Sequence, residues 1–215
     1  SDMVQSFGKI ETNLDGLAAA SFAAHKFYGP KGAGLLYLRA GIAIEPIQFG
    51  GAHENQRRPG TENVPAIAGM AAAAEFVLRD RADEQKREAI LRDSLWEKIS
   101  AACPDAIQNS DGAAGLPNTL NVSFPGLSSE TILMALDLEG ICASSGSACM
   151  VGSVVASHVL LAMGLRAELA GAAVRFSLGR DTTDEEINRA GEIIGRVINR
   201  VRSARAENRL AYAAV

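Results

Sequence analysis

The chain is poor in the residues that build metal sites, disulfide frameworks and aromatic platforms. Its 215 positions hold three cysteines, three histidines, one tryptophan and 5% aromatics. Cys103, Cys142 and Cys149 are odd in number and lack metal-ligand spacing. No metal site and no paired disulfide framework is therefore expected, and the usage fits a reducing compartment. No apolar run approaches the roughly 20 residues that cross a bilayer, and none reads as a secretory signal. No membrane partner and a cytoplasmic location are the expectations. Positive charge is not in excess either. The formal net charge of -4 argues against a nucleic-acid partner held by bulk charge. What the chain does have is 47% hydrophobic residues, enough for a real core. Asn121-Val122-Ser123 matches a glycosylation sequon and is read as chance.

Apolar runs and breakers mark the elements. Leu17 to Ala24 reads as a buried strand and Gly34 to Leu38 as a second, joined by the Gly29-Pro30-Lys31-Gly32 turn. Ala40 to Gly60 reads as an extended loop. A long helical stretch starts at Glu62, with Ala66, Met70, Ala73, Ala74, Phe76 and Val77 on its apolar face. Leu91, Leu95 and Ile99 repeat that pattern between Ala89 and Ala101. Asn118 to Phe124 and Ala172 to Leu178 read as strands, and Ser129 to Leu138 as a helix. Thr183 and Glu186 form a capping-box pattern before a stripe of Ile187, Ala190, Ile194, Val197 and Val201. An α/β first third passes into an α+β remainder. Charge rises abruptly near Arg79 to Asp83, which puts the boundary between residues 1–80 and 81–215.

Three places carry chemistry. Ser144-Ser145-Gly146-Ser147-Ala148-Cys149 sets a thiol at the end of small, turn-forming residues. A thiol there is expected to be accessible, whereas Cys142, in an apolar run, reads as core and Cys103, at a helix end, as structural. His25-Lys26 follows an apolar approach; Lys26 is either a reactive amine or a solvated surface lysine, and His25 either an anion contact or a packed core residue. Arg175 lies inside the apolar Val174 to Leu178 run and needs an anionic partner, a ligand carboxylate or an internal acid. Thr61 precedes the long helix and reads as its N-cap, a place where anions also bind. His158 is expected to begin the helix after the cysteine loop.

Together these segments, in this order, resemble the cysteine desulfurases of the NifS/IscS type, pyridoxal-phosphate (PLP) enzymes of the class V aminotransferase group. The resemblance runs from Asp2 to the last helix. It implies an α/β fold-type I PLP-transferase: residues 1–80 as the C-terminal part of the large domain, and 81–215 as the small domain. It implies that Lys26 carries PLP as a Schiff base and that His25 and Thr61 hold its phosphate, Thr61 that of the other subunit in a homodimer. Asp2 would pair with the pyridine nitrogen and Gln5 would contact the ring oxygen. Arg175 would grip the substrate carboxylate. Cys149 would take the sulfur of L-cysteine as a persulfide and release L-alanine, then hand the sulfur to an acceptor or scaffold protein for iron–sulfur cluster assembly. The chain departs from the family pattern at Ala23, where serine is frequent, at Pro59, where serine or alanine is, and at Asn55-Gln56, where Arg-Gly is common. An N-terminal portion of the family pattern has no counterpart in this sequence. Two other readings stay open: a different class V PLP enzyme, such as a selenocysteine lyase or an aminotransferase-like relative, and a non-catalytic module that dimerises or binds an acceptor.

Overall fold

A computed structural model describes residues 1–110, 115–146 and 156–213, with side chains to 206. The chain divides into two compact units, Ser1–Gln85 and Lys86–Val215.

In the first unit, β1 (Ala19–Ala23) runs antiparallel to β2 (Gly34–Leu38), with Phe22 opposite Leu35 and Ala20 opposite Tyr37. The other edge of β1 is met by the chain start, where Asp2 bridges Ser21 in parallel fashion. A single 3-10 turn, Ala24–Lys26, follows β1. The connection to β2 then bends sharply. The Gly29 amide donates to Ala24 O at 2.9 Å, and a Cβ at Gly29 would lie 2.9 Å from the Ala24 Cβ, so only glycine fits. A short turn, α1 (His53–Gln56), interrupts the long loop. The helix α2 (Val64–Arg79) lays Ala73 and Val77 on Ala24 and Phe27, with Phe7 packed edge-on against Phe22 and Phe27. Phe76, expected on that face, is exposed. The face is narrower than the apolar run, because Ala73 and Val77 alone bury fully. Asp80 breaks the helix, and α3 (Arg81–Ala102) begins at once.

The second unit is built on an antiparallel sheet in the order β3-β4-β5: β3 (Ile107–Gln108), β4 (Thr119–Ser123) and β5 (Ala173–Ser177). Alternation decides the faces. Leu120, Val122, Val174 and Phe176 are buried with Leu91, Leu95 and Ile99 of α3, Ile132 and Leu136 of α4 (Ser129–Asp137), and Ile187, Ile194, Val197 and Ile198 of α7 (Asp184–Ala213). The short helices α5 (His158–Ala162) and α6 (Ala167–Gly171) form a small satellite cluster around Leu160, Ala170 and Ala173. His158 does begin α5. The capping box forms as expected: Glu186 N donates to Thr183 Oγ1 at 3.2 Å and Thr183 N to Glu186 Oε2 at 2.9 Å. Two glycines one turn apart let α7 approach α3 closely. A Cβ on Gly191 would meet Lys98 Cβ at 2.6 Å, and one on Gly195 would meet Ala102 Cβ at 2.6 Å. The turn between β5 and α7 is held by Arg87, whose guanidinium donates to the carbonyls of Thr182 (2.7 Å), Arg180 (2.9 Å) and Gly179 (3.1 Å). No helix among the described residues is long and apolar enough to cross a membrane.

Candidate active site

In the first unit the candidate residues gather around the end of β1. Asp2 sits beside Ser21 through the parallel bridge. Its Oδ1 accepts the Val4 amide at 2.8 Å and the Ser21 hydroxyl at 3.4 Å, so the carboxylate has a fixed orientation although it is exposed. Lys26 closes the 3-10 turn and is half-buried, and His25 beside it is exposed. No described residue hydrogen-bonds Lys26 Nζ. Gln5 is exposed, and its backbone is tied to Lys26 by a residue the motifs did not single out. Lys9 Nζ donates to Gln5 O and to Lys26 O, both at 3.3 Å. The four-residue spacing of Gln5 and Lys9 on the opening turn was the signal for it. Ser21, likewise missed, stands on the less buried face of β1 and could have been read from the strand's alternation.

Thr61 is exposed and makes no hydrogen bond to Asp2, Gln5, His25 or Lys26. It is not the cap of α2. That role falls to Asn63, whose Oδ1 accepts the Ala66 amide at 3.3 Å. Gly60, at φ +101°, redirects the chain before Thr61, and Pro65 occupies the first helical turn, so the helix starts later than the threonine suggests.

In the second unit Arg175 is half-buried at the middle of β5. It faces Asn121 on β4, and on the other edge it forms an antiparallel bridge with Ser144: Arg175 N to Ser144 O at 2.6 Å, Ser144 N to Arg175 O at 3.1 Å. Its Nε is buried and has no hydrogen-bond partner. The internal acid that would make Arg175 a structural ion pair is therefore missing among the described residues. Cys149 lies outside the described residues. Cys142 is exposed, not in the core. The segment leading to the Ser144 bridge is extended, so Ile141 and Ala143 turn to the core while Cys142 faces away. Cys103 is buried, as expected, and burial pushes its thiol pKa up. Asn118 and Ser123 serve the fold: Asn118 Nδ2 donates to Leu178 O at 3.1 Å and Ser123 Oγ to Leu169 O at 2.8 Å.

The donor set of the first unit fits PLP chemically. It offers an amine with no competing hydrogen bond, a carboxylate with a fixed orientation, and an imidazole next in sequence to the amine. A carboxylate suits a protonated ring nitrogen and an amine suits an aldehyde.

The aminotransferase class-V family model matches residues 1–190. A protein named cysteine desulfurase IscS, from Dictyoglomus turgidum, is 42% identical over 204 residues, which is 94% of this chain and 52% of that protein. A solved NifS-like protein superposes with a TM-score of 0.82 at 36% identity over 92% of this chain and 51% of its own. The NifS-like protein from Rickettsia africae ESF-5 gives 0.84 at 31% identity, with 92% and 52% covered. The chain thus spans about half the length of the relatives it matches. Its α/β architecture is the corresponding part of the fold-type I PLP-enzyme fold of these NifS-like structures. The ordered Lys26 and Arg175 segments, the matched family model and the shared fold lead to one assignment: the chain belongs to the class-V aminotransferase family.

Proposed function

We propose that the protein containing this chain is a cysteine desulfurase that moves the sulfur of L-cysteine onto Cys149. Residues 1–80 belong to its large, cofactor-binding domain and 81–215 form the small one; the division of the chain between Gln85 and Lys86 supports that order. The observation that carries the reading is Arg175: a half-buried arginine with an unsatisfied buried Nε, bridged to Ser144, which stands five residues before Cys149 in sequence. A half-buried guanidinium with a buried, unanswered N–H calls for an acceptor, best an anion. An amino-acid carboxylate supplies it with fork geometry.

In this reading Lys26 Nζ would bond the PLP aldehyde, Asp2 would pair with its ring nitrogen, Gln5 and His25 would contact its oxygens, and Thr61 would reach the phosphate held by the second subunit of a homodimer. Bound there, PLP supplies an electron sink for the carbon skeleton of the substrate. Arg175 fixes the substrate through its carboxylate. The Lys26 amine would hold and pass on a proton at Nζ. The Cys149 thiolate attacks the substrate sulfur: the S–S bond forms, the substrate C–S bond breaks, and its electron pair stays with the carbon, which gains a proton. Thiol and L-cysteine become persulfide and L-alanine, with no external oxidant. A cytoplasmic acceptor or scaffold protein then takes the sulfur for iron–sulfur cluster assembly.

The test uses the full-length holoenzyme. Cys149→Ser is expected to abolish alanine formation while leaving the visible absorbance of bound PLP unchanged, because a hydroxyl cannot form a persulfide. In the wild type, brief exposure to L-cysteine is expected to add one sulfur to the peptide holding Cys149, removable by a reducing thiol. Sulfur on Cys142 or Cys103 instead, or full activity in Cys149→Ser, overturns the reading.

A further inference from the structure

Arg175 does not stand alone on its sheet face. The buried residues Leu120, Val122, Val174 and Phe176 fill the core side of β4 and β5, so the residues between them stand on the other side. Asn121 is directly opposite Arg175 in the β4–β5 register, and Ser144 directly opposite it on the other edge. Opposed residues of antiparallel strands share a face, with Cβ atoms about 5 Å apart. A row of three half-buried polar side chains therefore crosses the sheet: an amide, a guanidinium and a hydroxyl.

The amide at the row's end is set by its neighbours. Asn109 Nδ2 donates to Asn121 Oδ1 at 2.6 Å and to Ser123 Oγ at 2.8 Å. With Oδ1 engaged, Asn121 keeps its Nδ2 donors without a partner among the described residues. Ser144 Oγ likewise has none. At the centre, the buried Arg175 Nε is unsatisfied. Three neighbouring side chains thus offer donors, and no carboxylate among the described residues answers them.

We propose that Asn121 and Ser144 flank Arg175 as two further anchors for the carboxylate of the amino-acid substrate. This rests on the reading of Arg175 as the carboxylate grip. A carboxylate presents about four lone-pair directions, and a guanidinium fork takes two. The flanking amide and hydroxyl take outward directions that water would otherwise fill. Both are positioning residues for the substrate, and neither has a part in the sulfur chemistry.

The experiment measures KM and kcat for L-cysteine, and the inhibition constant of the product L-alanine, in the full-length holoenzyme. Asn121→Ala is expected to raise KM and the L-alanine constant together by about 5- to 10-fold with kcat within about twofold, the size of one lost hydrogen bond that water partly replaces. Ser144→Ala is expected to raise both by about threefold. Asn121→Asp gives the larger rise, because its carboxylate competes with substrate for Arg175. Asn109→Leu, which frees the Asn121 amide to turn, is expected to raise both constants severalfold. Unchanged constants in Asn121→Ala and Ser144→Ala, while Arg175→Lys raises KM, overturn the row and leave the grip in place. Unchanged constants in Arg175→Lys overturn the grip and the row with it. A lowered melting temperature with unchanged KM and inhibition constant makes Asn121 a structural residue and overturns its role. Should Asn121→Ala not fold, Ser144→Ala, outside the asparagine network, decides alone.

Discussion

The two units solve the packing problem to different extents. The second closes a core in which Ile99, Leu120, Val122, Phe124, Ile132, Leu136, Val174, Ile194, Val197 and Ile198 are all fully buried. The first buries Ala20, Phe22, Ala24, Phe27, Ala73 and Val77, and leaves Leu35, Leu36, Ile47 and Phe49 more than half exposed. Leu35 and Leu36, adjacent on β2, are both exposed although they point to opposite faces. A strand apolar on both faces belongs inside a covered sheet. The difference teaches that hydrophobic patterning records the environment a segment is built for, while burial records the environment it has. The second unit closes its sheet within its own residues, although Ile90, Met134 and Leu138 stay exposed on or at the end of its helices; the first unit leaves a strand uncovered.

The largest effect that separates the two is truncation of a core side chain. Phe124→Ala is expected to destabilise the chain by about 3–5 kcal/mol, whereas Leu35→Ala, already half in water, changes stability by less than about 0.5 kcal/mol. Chemical denaturation of both variants checks this. Equal losses would erase the contrast between the units.

Next comes the helix crossing. Gly195→Ala places a methyl on Ala102 at a distance no pair of carbons tolerates. Overpacking of this kind costs about 1–3 kcal/mol, despite alanine's better helix propensity. A stabilised Gly195→Ala variant would mean that α7 and α3 can separate.

A gain is expected in the first unit. Glu54, Asn55 and Gln56 all have left-handed backbone, with φ of 48°, 55° and 63°. Gln56 thus holds a conformation that glycine adopts at no steric cost. Gln56→Gly is expected to raise stability by up to about 1 kcal/mol by relieving it, read as a small rise in midpoint. A loss would show that the glutamine side chain matters to the turn.

The smallest effect is electrostatic. Glu139 accepts hydrogen bonds from Arg200 (2.9 Å) and Arg196 (3.0 Å), and these hold its carboxyl below the usual range. A depressed carboxylate contributes stability above its unfolded pKa and loses it as pH falls through the folded one. Glu139→Gln is therefore expected to flatten slightly the acid limb of the stability profile, an effect that salt weakens because the cluster is exposed. An acid limb identical to wild type would show the cluster to be inert.

Legibility followed how local each signal was. The last helix was readable because Thr183, Glu186 and its stripe all sit on one element, and the β1–β2 pair because its breakers lie in the turn itself. Two misreadings have one cause. Thr61 and Asn63 are both good caps, and only the backbone at Gly60 and Pro65 chooses between them. Cys142 was read from an apolar run, but an extended run has two faces, and the bridge at Ser144, which fixes them, comes from Arg175 thirty-one residues on. The row of Asn121, Arg175 and Ser144 was hidden for the same reason: strand register is a tertiary fact. Arg175 stood out because charge inside an apolar run is costly, whereas Lys26, which follows its apolar run, stood out through the resemblance of its segment.

The hold of Arg87 on the turn before α7 fixes an order of events. Its three carbonyl partners lie between 92 and 95 residues later in the sequence. During synthesis, the start of α3 leaves the ribosome long before those carbonyls exist. Contacts of such separation close late, because a long loop must be ordered before any of them form. The second unit therefore cannot complete itself piecemeal from its N-terminal end. It waits for the β5–α7 turn, and a stalled chain that ends before residue 179 presents α3 and β4 to the cell with their partners missing.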